Sequence, residues 1–252
     1  MIGAAELNPV DPRAKEAIQR LRGFHRIVAD HSARYFRTLV LNDGAVAYRD
    51  LSMRTNAVTH DFLSRSFSLF KAIKDFEIKN GWPGPRMVLS SGLRARGSRR
   101  SIDRSARQVD NILRRLSEGT IGAEQAVREA ASVQRYSDLI PALQANFAFT
   151  KAYVAEAAGS KAGLGGSCFF VDTALFLDRS APEWIDAGEA IAFSEPDLSI
   201  QCCFVPVTGM RAPNSGRGEI AGLGDALHVG EHIAPDMAIR SLIRSVKSAS
   251  AG

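Results

Sequence analysis

TLVLNDGAVAY, residues 38–48, decides how this chain is read. Two runs of β-forming residues meet at Asn42, Asp43 and Gly44, and Asp-Gly between apolar runs is the strongest short-range hairpin signal. The pattern predicts a hairpin with a two-residue turn. Asp43 then has two roles open to it. It turns the chain, or it projects a carboxylate from a sheet edge toward a metal ion.

Outward from the hairpin, helices and strands alternate. Asp11 and Pro12 read as a helix cap and first turn. The apolar residues Ala17, Ile18, Leu21, Phe24, Ile27 and Val28 then follow helical spacing. A second helix is predicted over 59–79, with Phe62, Phe67, Leu69, Phe70, Ile73 and Phe76 available to its buried face. After the turn GWPGP, residues 86–90 read as a strand expected in the same sheet as the hairpin. A helical block follows. Residues 101–117 place Ile102, Ala106, Val109, Leu113 and Leu116 on one stripe, 123–133 form a shorter helix, and 140–158 a third, entered through Pro141. Strands are expected at 168–172, 190–193 and 198–207. A Gly-rich stretch and an amphipathic helix over 235–246 close the chain.

This order predicts an α+β fold: a mixed β-sheet covered by helices. One α+β domain is expected over 1–207, with a helical insertion at 93–137. Residues 208–252 form the Gly-rich loop and C-terminal helix. With 45% hydrophobic and 23% charged residues among 252, the chain has the composition of an ordinary globular protein and length enough for a sizeable core. No stretch reads as a membrane span or signal peptide. The three cysteines, Cys168, Cys202 and Cys203, lack metal-ligand spacing and fit a reducing, cytoplasmic setting.

Two further patterns bear on chemistry. HVGEH, residues 228–232, matches a zinc-peptidase string that binds metal only on a helix. With Gly230 inside it and Gly-rich sequence before it, the string is read as a loop. The net charge of +5 is concentrated. Between Arg94 and Arg115 stand eight arginines against two aspartates, a surplus of six, so the rest of the chain sums to about −1. Arg104, Arg107, Arg114 and Arg115 cluster opposite the predicted apolar stripe. That face is either a solvated helix exterior or a grip on phosphates, and no aromatics interleave to stack bases.

Three stretches, in order, resemble the catalytic domain of class III nucleotidyl cyclases. LVLNDGAVAY is similar to that family's strand–Gly-Asp–strand hairpin, RMVLSSG to the strand after the next helix, and NFAFTKAYVAEAAG with CFFVD to its N-x-A-x-R helix and succeeding strand. The resemblance covers roughly residues 35–175. It implies a mixed sheet covered by helices, a homodimer with sites between subunits, a nucleoside triphosphate substrate and Mg2+ or Mn2+. It assigns Asp43 to metal and Asn146 to the ribose or transition state, with Lys151 as a phosphate contact. The chain departs from the family elsewhere. The strand bearing the first metal aspartate is expected to be missing, the purine-selecting position falls on Leu39, and the transition-state arginine position falls on Thr150. The resemblance therefore implies a cyclase-like bacterial protein, inactive or incomplete as written. The competing reading is a binding or scaffold protein whose arginine helix meets an anionic partner such as nucleic acid.

Overall fold

A long helix with an apolar stripe needs a partner. In the computed structural model, which describes residues 12–41, 43–95, 104–133, 143, 145–213, 220–234 and 236–250, the first two helices supply one another. Helix α1 (Pro12–His31) buries Ala14, Phe24 and Val28. Helix α2 (Ala57–Lys79) buries Leu63, Leu69, Phe70 and Ile73. They pack so closely that a Cβ on Gly23 would collide with the Phe76 ring. Glu77 of α2, 1% exposed, is held by the Arg20 guanidinium of α1, whose Nε lies 2.9 Å from Oε1. Arg20 also lies over the Trp82 ring, 5.0 Å from its centroid.

The hairpin forms as predicted. Strand β1 (Arg37–Leu41) pairs antiparallel with β2 (Gly44–Tyr48), Leu41 opposite Gly44, and Asp43 lies at the turn, while Asn42 is outside the described residues. The expectation that it shares a sheet with residues 86–90 is overturned. The hairpin is a two-stranded sheet of its own. The larger sheet holds β3 (Met87–Leu89), β4 (Phe169–Asp172), β5 (Ile185–Ala187), β6 (Ile191–Glu195) and β7 (Ile200–Met210). β3 runs parallel to β4, and β4 antiparallel to β7. β5 and β6 follow one another along the other edge of β7, both antiparallel to it. Parallel and antiparallel pairs together make the sheet mixed, and with the helices the fold is α+β, as the sequence pattern implies.

Side-chain alternation gives this sheet two buried faces. Leu89, Phe169, Val171, Val205 and Val207 face α2 and meet Leu63 and Phe70. Phe170, Phe193 and Phe204 face the other way and meet Ala155 of α5 (Phe147–Ala158). Near the C-terminus, α6 (Ala226–Ile233) and α7 (Met237–Ser250) pack on each other.

The chain divides into two compact units, one of residues 1–92 and 148–252, the other of residues 93–147. Within the second, α3 (Arg104–Ser117) and α4 (Ala123–Ser132) share a small cluster of Ile112, Ile121 and Ala126. The stripe predicted for α3 departs at one position, while Leu116 packs against this cluster as predicted. Ile112 is buried, whereas Leu113 is 56% exposed. Ile102 lies outside the described residues. Of the helix predicted over 140–158, Phe147–Ala158 forms α5, and residues 140–142 and 144 lie outside the described residues. Arg94 and Asn146 form an antiparallel bridge, with Ala95 N–H on Ala145 O and Phe147 N–H on Leu93 O. Those backbone bonds hold the chain extended where a helix would otherwise start.

Breaking a buried ion pair by removing one partner costs about 3–5 kcal/mol, because the other charge is left uncompensated. Arg20→Ala should therefore lower the urea midpoint by an amount worth about 3 kcal/mol, with the slope unchanged. The double change Arg20→Leu with Glu77→Leu should recover most of it.

Candidate functional site: a buried lysine–aspartate brace

Parallel strands bring their carboxyl ends to the same end of a sheet, and that is where side chains from different segments meet. Here β3 leads into Ser90 and Ser91, and β4 ends on Asp172. Asp172 is 1% exposed. Its Oδ2 accepts the Ser91 backbone N–H at 3.1 Å and the Ser91 hydroxyl at 2.9 Å. The same oxygen takes the Lys151 ammonium of α5 at 2.5 Å. Its Oδ1 accepts the Ala174 N–H at 3.0 Å, which starts the 3₁₀ turn Thr173–Leu175. A buried carboxylate is costly unless each oxygen is satisfied. Four donors meet that requirement here.

Lys151 is 9% exposed. It is the only lysine in the apolar helix FAFTKAYVAEAA, one turn before the fully buried Ala155. Cys202 lies close enough to feel both charges. Burial pushes its thiol up to about 12, Lys151 opposes that shift, and Asp172 adds to it. Lys151 and Ser91 both donate to the carboxylate, and among the described residues no hydrogen bond joins one to the other. A serine activated by a lysine needs that bond. The arrangement is a brace joining β3, β4 and α5. Arg86 reinforces the far end of α5, donating from one guanidinium nitrogen to Glu156 O at 2.8 Å and Glu156 Oε1 at 2.9 Å.

The other sequence-derived candidates fall as follows. Asp43 is half-buried at the tip of the hairpin. Leu39 lies in β1, opposite Val46. Asn146 is 7% exposed and belongs to the second unit, at the backbone bridge to Arg94. In α3, Arg107 and Arg114 are exposed, while Arg115 is half-buried and pairs with Glu129 of α4 at 2.7 Å. Arg114 reaches Asn111 at 2.9 Å and Glu118 at 3.4 Å. The side chain of Arg104 lies outside the described residues.

The loop expected at 228–232 is a correction. HVGEH is part of helix α6, because Asp225 caps it, accepting from Leu227 N–H and His228 N–H at 2.9 Å each. A cap is worth about 1 kcal/mol, about what Gly230 loses against alanine. Gly230 also sits under α7, where an added Cβ would lie 3.3 Å from Ile243. Glu231 turns to α7, 2.8 Å from both Arg244 and Lys247. Hydrogen bonds from Lys247 first and Arg244 second hold its carboxyl at about 2. Its contribution to docking α7 is therefore present above the ordinary carboxylate range and lost as pH falls through about 2. His228 Nδ1 lies 2.8 Å from Asp225 Oδ1, and His232 Nδ1 lies 3.1 Å from Ala174 O. Among the described residues, no group of three or more His, Cys, Asp or Glu side chains could hold a metal ion.

Sequence reasoning missed Asp172 and Ser91. The signal was a carboxylate ending the apolar run CFFVD, together with one ammonium in an apolar helix. Two opposite charges stranded in apolar segments must find each other. No family model, curated protein or solved structure matches the chain. No described helix is long and apolar enough to cross a membrane.

Lys151→Ala should destabilise the chain by about 3–5 kcal/mol, since Asp172 would keep its charge without its cation. Ser91→Ala removes one of four donors and should cost about 1–2 kcal/mol in the same denaturation experiment. In the native chain at pH 8, alkylation of Cys202 should be at least about tenfold slower than in the unfolded chain, because only the thiolate reacts.

Proposed function

We propose that this chain is a divergent nucleotidyl cyclase-like protein of nucleotide-signalling ancestry that does not carry out cyclisation as it stands. The observation that supports this most is the engagement of Lys151. The ammonium that the resemblance offers to a phosphate is buried against Asp172. In-line nucleotidyl transfer also uses two carboxylates to hold its metal ions. In the resemblance only Asp43 stands at a metal-ligand position, since the strand that bears the first metal aspartate is not matched. Leu39, at the purine-selecting position of the resemblance, has no side-chain donor or acceptor for a base. Nucleoside triphosphate and a homodimer belong to the ancestral chemistry, and this proposal needs neither for turnover.

The purified chain, incubated with ATP or GTP and either Mg2+ or Mn2+, should yield no cyclic nucleotide. Cyclic product from the wild type that vanishes in Asp43→Ala would overturn the reading.

A second reading rests on α3. Arg107 is exposed and makes no hydrogen bond or ion pair among the described residues, and Arg114 is exposed beside it in the same helix. Such a face suits an anionic partner held through phosphates. Binding of RNA or DNA would then depend weakly on sequence and fall by about 0.7–0.9 log units per log unit of salt for each phosphate neutralised. Changing Arg104, Arg107, Arg114 and Arg115 together to glutamine should flatten that slope. The pairing of Arg115 with Glu129 predicts a modest loss of melting temperature as well. No binding at low salt would mean a solvated helix face.

A further inference from the structure

Helix α6 carries two histidines that no role described so far uses. His228 and His232 are four residues apart in one α-helix, so they stand one above the other on the same face, with Cβ atoms about 6 Å apart. The hydrogen bond of each ring fixes its tautomer. His228 Nδ1 lies 2.8 Å from Asp225 Oδ1, an oxygen that also accepts the Leu227 and His228 backbone N–H groups. His232 Nδ1 lies 3.1 Å from the Ala174 carbonyl oxygen. A carboxylate oxygen already accepting from amides, and a carbonyl oxygen, do not donate. Nδ1 therefore carries the proton in both rings, and the lone pair of each neutral imidazole is on Nε2. Among the described residues, neither Nε2 has a hydrogen-bond partner.

This is the chemistry of a histidine prepared for a metal. One ring nitrogen donates to a carboxylate or a backbone carbonyl, which orients the ring and makes the other nitrogen the more basic ligand. Two such rings one helical turn apart have the spacing with which a helix chelates a single ion. The His228 side chain is 41% exposed and His232 is half-buried, so a hydrated ion can reach both. The Asp225 carboxylate behind His228 also offsets Arg179, whose guanidinium lies 2.9 Å from His232 O.

We propose that His228 and His232 form a two-histidine site for Zn2+ or a similar borderline divalent ion, bound through both Nε2 atoms. Imidazole ligands favour such ions over the hard Mg2+ and Ca2+. No third His, Cys, Asp or Glu completes the site among the described residues. Zinc takes four ligands, so about two positions stay with water and are open to an incoming group. Glu231, between the two histidines in the chain, is held by Arg244 and Lys247 and takes no part. The proposal is of metal binding, not of peptide hydrolysis, and it does not rest on the nucleotide reading.

The full chain is titrated with Zn2+ alone, and separately with Mg2+, while the ring-nitrogen NMR resonances of its histidines are followed. In the wild type the Nε2 resonances of His228 and His232 should shift together and saturate at one ion per chain, and Mg2+ should leave both unmoved. Asp225→Asn keeps a good helix cap but loses the charge behind the ring, and it should weaken Zn2+ binding about tenfold in calorimetry. His228→Gln and His232→Gln should each weaken it further. His31 also holds Nδ1 at 2.8 Å from a carbonyl oxygen, that of Ile27, but has no histidine one turn away, so His31→Gln should leave binding unchanged. The proposal is overturned if Zn2+ moves one of the two wild-type resonances or neither, or if Mg2+ moves both equally. It is also overturned if Zn2+ binding survives His228→Gln or His232→Gln, or is lost equally in His31→Gln. The resonances are read in the wild type, so that result stands whether or not a variant folds.

Discussion

One carboxylate holds three segments in place. Asp172 takes the ends of β3 and β4, the middle of α5 and the following 3₁₀ turn into a single set of hydrogen bonds. Its burial makes this set obligatory, because a carboxylate out of water keeps its charge cheaply only when donors surround it. Each segment has an apolar reason to be nearby. The brace fixes where each one stops. β3 has only three residues and one parallel neighbour, which is little to hold a strand in register, and Ser91 bonded through both its backbone and its hydroxyl supplies the missing constraint.

Helix α2 carries the other organising role. One of its faces meets the larger sheet through Leu63 and Phe70, and another meets α1 and the hairpin through Leu69 and Ile73. The aromatic contacts follow this division. Phe70 stacks with Phe169 of β4, while Phe62 tilts against Phe36 next to β1. Two small sheets thus find a common surface without sharing a ladder.

What the sequence disclosed depended on how local the information was. The hairpin was legible because Asn42, Asp43 and Gly44 carry their own geometry. Helix α2 was legible because its apolar spacing runs over many turns. The separation of the hairpin from β3 was not, since sheet membership depends on neighbours distant in the chain. One position of the α3 stripe was not legible, because Ile112 and Leu113 are adjacent and both fit a stripe until α4 selects one. HVGEH became helical through Asp225, three residues before the string, and through the approach of α7 over Gly230. At the candidate site Lys151 was picked out for a phosphate, yet its partner is a carboxylate in the next strand. Charge type was readable there, but pairing was not.

The position of β7 has a consequence for how the molecule assembles. Among the described residues this eleven-residue strand is the one that pairs with β4 on one side and with β5 and β6 on the other. It also follows every other described strand in the chain. Until it emerges, β4 has one short parallel neighbour and Phe170 has no Phe204 to pack beside. Helices α1 and α2 and the hairpin have all emerged long before that, and α1 meets α2 across 57 positions of chain at Arg20 and Glu77. During synthesis α1, α2 and the hairpin therefore have one another as partners before the larger sheet can close, and β7 is the strand that joins its two sides.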